Sequence, residues 1–132
     1  MSVGLVLVSH SARLAEGLRD LVEQLTRGRA PVAVAAGGAD GSLGTSALAI
    51  AAAVESLAGA DGVLVLMDLG SAVLSADTAL EQLDPALRER VRLADAPFVE
   101  GAVAAGVEAS LGSALEAVAA AAEAAAQQRK LA

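Results

Sequence analysis

Continuous apolar runs and amphipathic stripes alternate along the chain. Residues 3–8 and 63–67 consist almost wholly of valine, leucine and methionine, which predicts strands covered on both faces. Shorter apolar runs at 31–35 and 91–93 predict two further strands. After the first strand, apolar residues recur at helical spacing, and we expect this stripe of the first helix to lie in the core: Leu14, Leu18, Leu21, Val22 and Leu25.

Helices are predicted between and after the strands. Thr45 or Ser46 is a natural N-cap for a second helix, a third covers about 72–83, and the chain beyond residue 101 is helical with one break at 110–112. Because parallel strands need crossover connections, this order predicts an α/β fold. We expect a single domain over residues 1–132, with a mostly parallel central sheet of four or five strands and helices on both faces. Residues 95–101 are the candidate fifth strand.

Composition removes several function classes. The 132 residues include no cysteine and a single aromatic residue, Phe98, which excludes disulfides, Cys-based metal sites and base-stacking surfaces. Nine Lys and Arg against sixteen Asp and Glu give a net charge of −7, which repels nucleic acid and anionic lipid. No run reaches the ~18 apolar residues of a membrane span, and no secretory signal is recognisable. We therefore expect a cytoplasmic protein without metal or cofactor.

Polar residues follow the first and third predicted strands. Ser9-His10-Ser11 ends the first strand, and Asp68 follows the third. Ligands of open parallel sheets gather beyond the carboxyl ends of strands where the chain order reverses, and these two strands are normally neighbours there. His10 and Asp68 should therefore emerge side by side. A carboxylate that accepts a hydrogen bond from one imidazole nitrogen fixes the tautomer and leaves the other nitrogen as a nucleophile.

Helix starts and glycine-rich turns are predicted around this pair. Helix starts offer backbone N–H groups and a positive dipole end to an anion such as phosphate, and glycines allow a close backbone approach. Taken singly, each signal has an ordinary structural explanation: a lone histidine is often a surface residue, and Asp68 could simply cap a helix. Their agreement on one edge of the sheet predicts a phosphoryl group on His10. The residues expected around that group are Ser11, Gly37, Gly38, Thr45, Gly70 and Ser71.

Four segments resemble a known family. They are Val-Ser-His-Ser at 8–11, Gly-Ser-Leu-Gly-Thr-Ser at 41–46, Val-Leu-Met-Asp-Leu-Gly-Ser-Ala at 65–72 and Ala-Pro-Phe-Val-Glu-Gly at 96–101. The chain resembles the mannose-class enzyme IIA domains of the bacterial phosphotransferase system. Within that class, it is most similar to the phosphotransferase subunit of phosphoenolpyruvate-dependent dihydroxyacetone kinase.

This resemblance implies a phosphorelay. Enzyme I would pass phosphate from phosphoenolpyruvate to the phosphocarrier HPr, and His10 would receive it from HPr. ADP on the nucleotide-binding subunit of the kinase would then be converted to ATP, which phosphorylates dihydroxyacetone on the dihydroxyacetone-binding subunit. In this scheme His10 is the phosphohistidine and Asp68 orients its ring. The family also implies a homodimer.

Three other functions remain open from the sequence. A mannose-type sugar-transport IIA domain would use the same histidine but donate phosphate to a IIB partner. A receiver domain would use Asp68 as the phosphoryl acceptor, although Ser9-His10-Ser11 stands where receivers carry acidic magnesium ligands. A non-catalytic dimerising module would need neither residue.

Overall fold

The strands form one sheet whose centre is the longest apolar run. The computed structural model describes residues 2–38 and 40–131, so Met1, Ala39 and Ala132 of the predicted domain lie outside the described residues. The strands are β1 (Val3–Ser9), β2 (Val32–Ala36), β3 (Gly62–Met67) and β4 (Val91–Leu93). Their order is β2-β1-β3-β4, and every ladder is parallel. The central position of β1 explains why all its side chains are buried.

Helices cover both faces of this sheet. They are α1 (Ala12–Thr26), α2 (Ala47–Ser56), α3 (Ala72–Glu81), α4 (Pro85–Arg88), α5 (Phe98–Ser110) and α6 (Leu115–Ala124), followed by a 3-10 turn (Ala125–Gln127). Leu5 and Leu7 of β1 pack with α1, α5 and α6, whereas Val6 and Val8 pack with α2 and α3. The predicted α/β fold is confirmed, with four strands among the described residues. Residues 95–101, the candidate fifth strand, form no strand: 98–101 are the start of α5.

The prediction that the whole apolar stripe of α1 is core was wrong for three leucines. Leu18 and Val22 are buried, and Ala15 and Thr26 complete the inward line of the helix. Leu14, Leu21 and Leu25 are 45%, 43% and 55% exposed. Each of them precedes an inward residue by one position, which turns it about 100° away from the sheet.

The predicted third helix ends two residues early, and a short helix follows it that the sequence did not predict. The helix α3 ends at Glu81, and Asp84 then caps α4 by accepting a hydrogen bond from the backbone N–H of Ala86 at 3.2 Å. Four residues are too few to show a periodic pattern, so the sequence carries no signal for α4 beyond Pro85. The break predicted at 110–112 is confirmed by the end of α5 at Ser110.

The helices α1 and α5 approach each other closely at a glycine. A Cβ placed on Gly106 of α5 would lie 2.6 Å from Cγ1 of Val22 in α1, which is closer than packed carbon atoms allow. The absence of a side chain at Gly106 therefore sets the distance between the two helices that cover one face of the sheet. Within the described part of the chain, no helix is long and apolar enough to cross a membrane.

Candidate functional site

His10 and Asp68 meet at the carboxyl edge of the sheet. His10 directly follows β1 and Asp68 directly follows β3, its neighbour in the sheet. The next helices, α1 and α3, leave towards opposite faces, which is the arrangement at which open parallel sheets bind their ligands. The structure brings the pair together as the sequence predicts: Nδ1 of His10 lies 2.9 Å from Oδ1 of Asp68.

The second oxygen of Asp68 is held as firmly as the first. Oδ2 accepts hydrogen bonds from the backbone N–H of His10 at 2.9 Å and from the Ser9 hydroxyl at 3.0 Å. Ser9 Oγ in turn accepts the backbone N–H of Ser11 at 3.0 Å. One carboxylate thus holds both the ring and the backbone of the same histidine.

Ser9 is a site residue that sequence reasoning missed. Its side chain is fully buried, and it is the last residue of a strand whose other side chains are all apolar or absent. A hydroxyl at a buried strand position needs a hydrogen-bond partner, because an unpaired buried polar group is costly. The need for a partner could have identified Ser9 as a site residue from the sequence. In the structure that partner is Asp68.

Asp68 is ionised at neutral pH. Burial alone would raise the pKa of its carboxyl, but hydrogen bonds from the His10 backbone, the His10 ring and Ser9 outweigh burial and hold the pKa below its ordinary value of 3.8. An ionised carboxylate can only accept hydrogen bonds. Nδ1 of His10 must therefore carry a proton, and in the neutral ring Nε2 has the lone pair.

The Nε2 nitrogen of His10 faces a serine hydroxyl. Ser71 Oγ lies 3.0 Å from Nε2 of His10. Ser71 occupies the N-cap position of α3, yet its side chain makes no capping hydrogen bond. The His10 side chain remains 25% exposed. Ser71 therefore donates to the lone pair of Nε2 at a ring edge that is open to solvent.

The glycine-rich loop lies against the backbone of the same histidine. Gly37 N–H donates to the carbonyl of Ser9 at 3.1 Å, and Gly44 N–H donates to the carbonyl of His10 at 3.1 Å. Gly38 N–H donates to Ser42 within the loop at 2.7 Å. At Gly37 the φ of 80° explains the need for glycine.

The remaining hydroxyls predicted around the phosphate have other partners in this state. Ser11 Oγ accepts the Leu14 N–H at 3.3 Å as the N-cap of α1. Thr45 Oγ1 lies 2.7 Å from Ser75 Oγ of α3, and its neighbour Ser46 is the cap of α2. The structure thus brings Ser71 to the ring of His10, whereas the hydroxyls of Ser11 and Thr45 support the surrounding elements. Gly70 immediately precedes Ser71 and has open space where a side chain would be.

This arrangement suits a nucleophile. Across residues 2–38 and 40–131, no three His, Asp or Glu side chains are grouped closely enough to hold a metal ion. The site instead consists of a fixed imidazole with a protonated Nδ1, an accessible Nε2, and the start of α3 beside it.

Comparison with known proteins shows the family of this chain. The family model EIIA-man, described as the PTS system fructose IIA component, matches residues 4–119. The chain belongs to the EIIA-man family. Its His10–Asp68 pair lies within the matched residues.

Relatives of this EIIA-man chain carry one common name. It is 50% identical over 119 residues to the phosphoryl donor subunit DhaM of PEP-dependent dihydroxyacetone kinase from Klebsiella michiganensis, a match that covers 88% of this chain and 25% of that protein. It is 39% identical over 116 residues to a DhaM subunit from Listeria innocua, covering 88% of this chain and 93% of that one. The chain thus spans about a quarter of the first relative and nearly all of the second.

A solved structure shares the whole fold of this EIIA-man chain. The crystal structure of EF1359, a protein of unknown function, superposes with a TM-score of 0.80 at 31% identity. The match covers 93% of this chain and 94% of that one. The four-stranded sheet and its helices are therefore an arrangement found in a solved relative.

Proposed function

We propose that residues 1–132 form the phosphoryl-carrying unit of a phosphoenolpyruvate-dependent dihydroxyacetone kinase, that is, of a phosphoenolpyruvate–glycerone phosphotransferase. His10 would take phosphate from HPr and pass it to ADP on the nucleotide-binding subunit. The observation that best supports this proposal is the position of the His10 ring at the carboxyl edge of the sheet. Its Nδ1 lies 2.9 Å from Asp68, and its Nε2 lies beside Ser71. The names of the relatives support the kinase as the pathway.

Phosphoryl acceptance uses the lone pair of Nε2. Nε2 attacks the phosphorus of the donor's phosphohistidine, the donor's P–N bond breaks, and its electron pair returns to the donor's imidazole. Asp68 balances the positive charge that develops on the His10 ring, since Nδ1 keeps its proton. The transition state of such a transfer is loose, so positioning and electrostatics account for most of the catalysis.

The hydroxyl of Ser71 changes partner during this step. Before transfer it donates a hydrogen bond to the Nε2 lone pair at 3.0 Å. This hydrogen bond must break before the lone pair can form a bond to phosphorus. After transfer the same hydroxyl is within reach of the new phosphoryl oxygens. The start of α3 at Gly70 and Ser71, the start of α1 at Ser11, and the 37–45 loop would surround the phosphate.

Transfer to ADP reverses the bond changes. A β-phosphate oxygen of ADP attacks phosphorus, the P–Nε2 bond breaks, and Nε2 regains its lone pair. The ring leaves readily only if it departs as a neutral imidazole with a proton on Nδ1. Asp68 holds that proton on Nδ1 and balances the positive charge of the phosphorylated ring in both directions of transfer.

Sugar transport is the second candidate, because the matching family description names a fructose IIA component. The two pathways share His10 and differ only in the acceptor. A sugar-transport domain would pass phosphate to a IIB protein and would leave ADP unchanged.

A two-stage experiment tests the proposal. The chain is incubated with phosphoenolpyruvate, enzyme I and HPr, and mass spectrometry is used to find one phosphate on His10, which His10→Ala lacks while remaining folded. The phosphorylated chain is then mixed with ADP and the nucleotide-binding kinase subunit, and ATP is expected. Phosphate on another residue would contradict the site. Transfer to IIB without ATP formation would favour sugar transport.

The proposal extends to the assembly and its location. We expect a cytoplasmic homodimer that works with the nucleotide-binding and dihydroxyacetone-binding subunits. Light scattering of the purified chain tests the dimer, and a molecular mass near 12.9 kDa would contradict it.

A further inference from the structure

A second crevice opens at the carboxyl edge of the sheet, between β3 and β4. The helix after β3, α3, covers one face of the sheet, and the helix after β4, α5, covers the other. Strand ends whose connections diverge in this way leave room for a ligand. The resulting cleft has a volume of about 320 Å³. Its side chains are mainly those of Met67, Leu69, Val73, Leu93, Asp95 and Ala96. We call it the β3–β4 cleft.

The β3–β4 cleft lies next to His10 without including it. Residues 68–70 line the cleft; Asp68 also holds the His10 ring, and the next residue, Ser71, contacts Nε2 of His10. A protein that covers Nε2 would therefore also cover the mouth of the cleft.

The cleft is mainly apolar, with two carboxylates among its lining residues: Asp95, and Asp68, whose side chain is 8% exposed and already hydrogen-bonded to His10 and Ser9. Leu69 is 59% exposed and Val73 is 37% exposed, so the walls offer apolar surface that nothing in the described chain covers. Asp95 is exposed, and its carboxylate has no ion-pair partner among the described residues. Its backbone N–H donates to Glu123 of α6 at 3.1 Å, which fixes the position from which the carboxylate projects.

Apolar walls with a carboxylate at the edge match a long basic side chain. Lysine and arginine bury their aliphatic stems against apolar surface while their charged heads remain at the edge. The surroundings agree, because further exposed apolar side chains occur in the loops and first helical turns of this edge of the sheet. They are Leu14, Leu43, Leu48, Leu74 and Val99.

We propose that the β3–β4 cleft binds a lysine or arginine side chain of the protein that delivers the phosphoryl group to His10. This proposal rests on the proposed function. A donor brings an anionic phosphoryl group towards a chain of net charge −7, so cations near that group are needed to offset repulsion. A cation held at Asp95 anchors the donor in the cleft that borders the 68–71 segment, next to the His10 site.

The test measures transfer from phosphorylated HPr to this chain as KM and kcat. Asp95→Asn is expected to raise KM about fivefold, and Asp95→Lys at least about tenfold, with kcat within about twofold of wild type, because the cleft binds the donor without touching the reacting atoms. Asp61→Asn and Asp61→Lys are the matched controls. Asp61 is exposed and directly precedes β3, so its substitution makes the same change in net charge at the opposite edge of the sheet.

A second variant tests the apolar part of the β3–β4 cleft. Val73→Phe places a larger side chain in the space needed by the basic stem and leaves Asp95 intact. We expect a rise in KM similar to that of Asp95→Asn, with an unchanged thermal unfolding midpoint, since Val73 is partly exposed.

The outcomes separate this proposal from the proposed function. If wild-type chain takes no phosphate from phosphorylated HPr, both proposals fail. If His10 is phosphorylated but the Asp95 variants behave like the Asp61 variants, or Val73→Phe leaves KM unchanged, only the cleft proposal is overturned.

Discussion

At the scale of single residues, Asp68 holds His10 at two points. Oδ1 accepts from the ring, and Oδ2 accepts from the backbone N–H of the same residue. Rotation of the ring about its side-chain bonds would break the hydrogen bond to Oδ1, and movement of the strand end would break the one to Oδ2. Both are charge-assisted hydrogen bonds. The tautomer and the direction of Nε2 are therefore set before a donor arrives.

The first prediction concerns the charge of that carboxylate. Asp68→Asn keeps a similar shape but cannot balance the charge that develops on the ring, so we expect transfer from phosphorylated HPr to slow by about 10²–10⁴-fold without stopping. Rapid-quench measurement of phosphate on His10 gives the rate. Asp77→Asn, an exposed change on α3, is the control and should transfer normally. A wild-type rate for Asp68→Asn would show that the ring needs no orienting charge.

The lowered pKa of Asp68 predicts how stability depends on pH. A carboxyl whose pKa is lower in the folded state stabilises the fold above its unfolded value, near 3.8, and loses that contribution as the pH falls through the lower folded value. The difference in unfolding free energy between wild type and Asp68→Asn should therefore shrink as the pH is lowered from 7 through this range. Urea titrations at several pH values measure it. A constant difference would mean that the carboxylate gains nothing from His10 and Ser9.

Ser9 should matter for stability beyond its size. In Ser9→Ala, Asp68 loses a donor and the Ser11 N–H loses its acceptor, so we expect a loss of about 1–3 kcal/mol in unfolding free energy. Ser110→Ala removes an exposed hydroxyl bond within α5 and should cost less than about 0.5 kcal/mol. Urea unfolding compares the two, and equal costs would contradict a structural role for the Ser9 hydroxyl.

The residue pair could be predicted because topology alone brings two strand ends together. His10 and Asp68 required only that the first and third strands be neighbours, which the pattern of apolar runs indicates. Ser71 was predicted to lie near the phosphate, but its particular contact depends on a rotamer and was not predictable. Ser71 is at a helix start, where its hydroxyl would ordinarily cap the helix; in the structure it is instead turned to Nε2.

At the scale of elements, small residues determine how the helices cover the sheet. The helices α5 and α6 present mostly alanine and glycine inwards, and α5 meets α1 where Gly106 faces Val22. The strands supply the large side chains of the core, and the small residues of the helices allow the helices to pack close to the sheet and to each other. A single added methyl group is therefore felt at such a contact.

Two glycine-to-alanine changes should have opposite signs. Gly106→Ala places a methyl group 2.6 Å from Val22, a stiff and fully buried side chain, and should destabilise the fold by about 1–3 kcal/mol. Gly17→Ala lies within α1 with nothing inside 4 Å of the new atom, and should stabilise it by about 0.5–1 kcal/mol. Thermal and urea unfolding of both variants check this. Stabilisation by Gly106→Ala would contradict the close helix contact.

Predicting the elements from sequence succeeded where periodicity was long. The buried strands and α1 were identified, but the inward side of α1 was misjudged because the line beside the inward one carries three leucines, whereas the inward line carries only one. Periodicity cannot choose between such lines without the position of the sheet. The line that faces the sheet is the one that contains Ala15, because its small side chain allows the helix to lie close to β1.

At the scale of the whole molecule, one edge of the sheet gathers both chemistry and exposed apolar surface. His10, the β3–β4 cleft and the exposed leucines of the surrounding loops face the same direction. The net charge of −7 adds a long-range field that favours partners with basic faces.

This charge predicts salt-dependent transfer. Raising ionic strength shortens the Debye length from ~10 Å at 0.1 M to ~3 Å at 1 M, so the second-order rate of transfer from phosphorylated HPr should fall while single-turnover chemistry in the complex changes little. Stopped-flow kinetics over a salt series measures both. A rate constant independent of salt would show that charge plays no part in docking.

The most direct test of the account is the nitrogen that carries the phosphate. The chain is labelled with ¹⁵N-histidine, phosphorylated through HPr, and studied by ¹⁵N and ³¹P NMR. Because Nδ1 is held by Asp68, we predict that phosphorus couples to Nε2 of His10 and that Nδ1 remains protonated. Phosphorus on Nδ1, or on any other residue, would contradict the account.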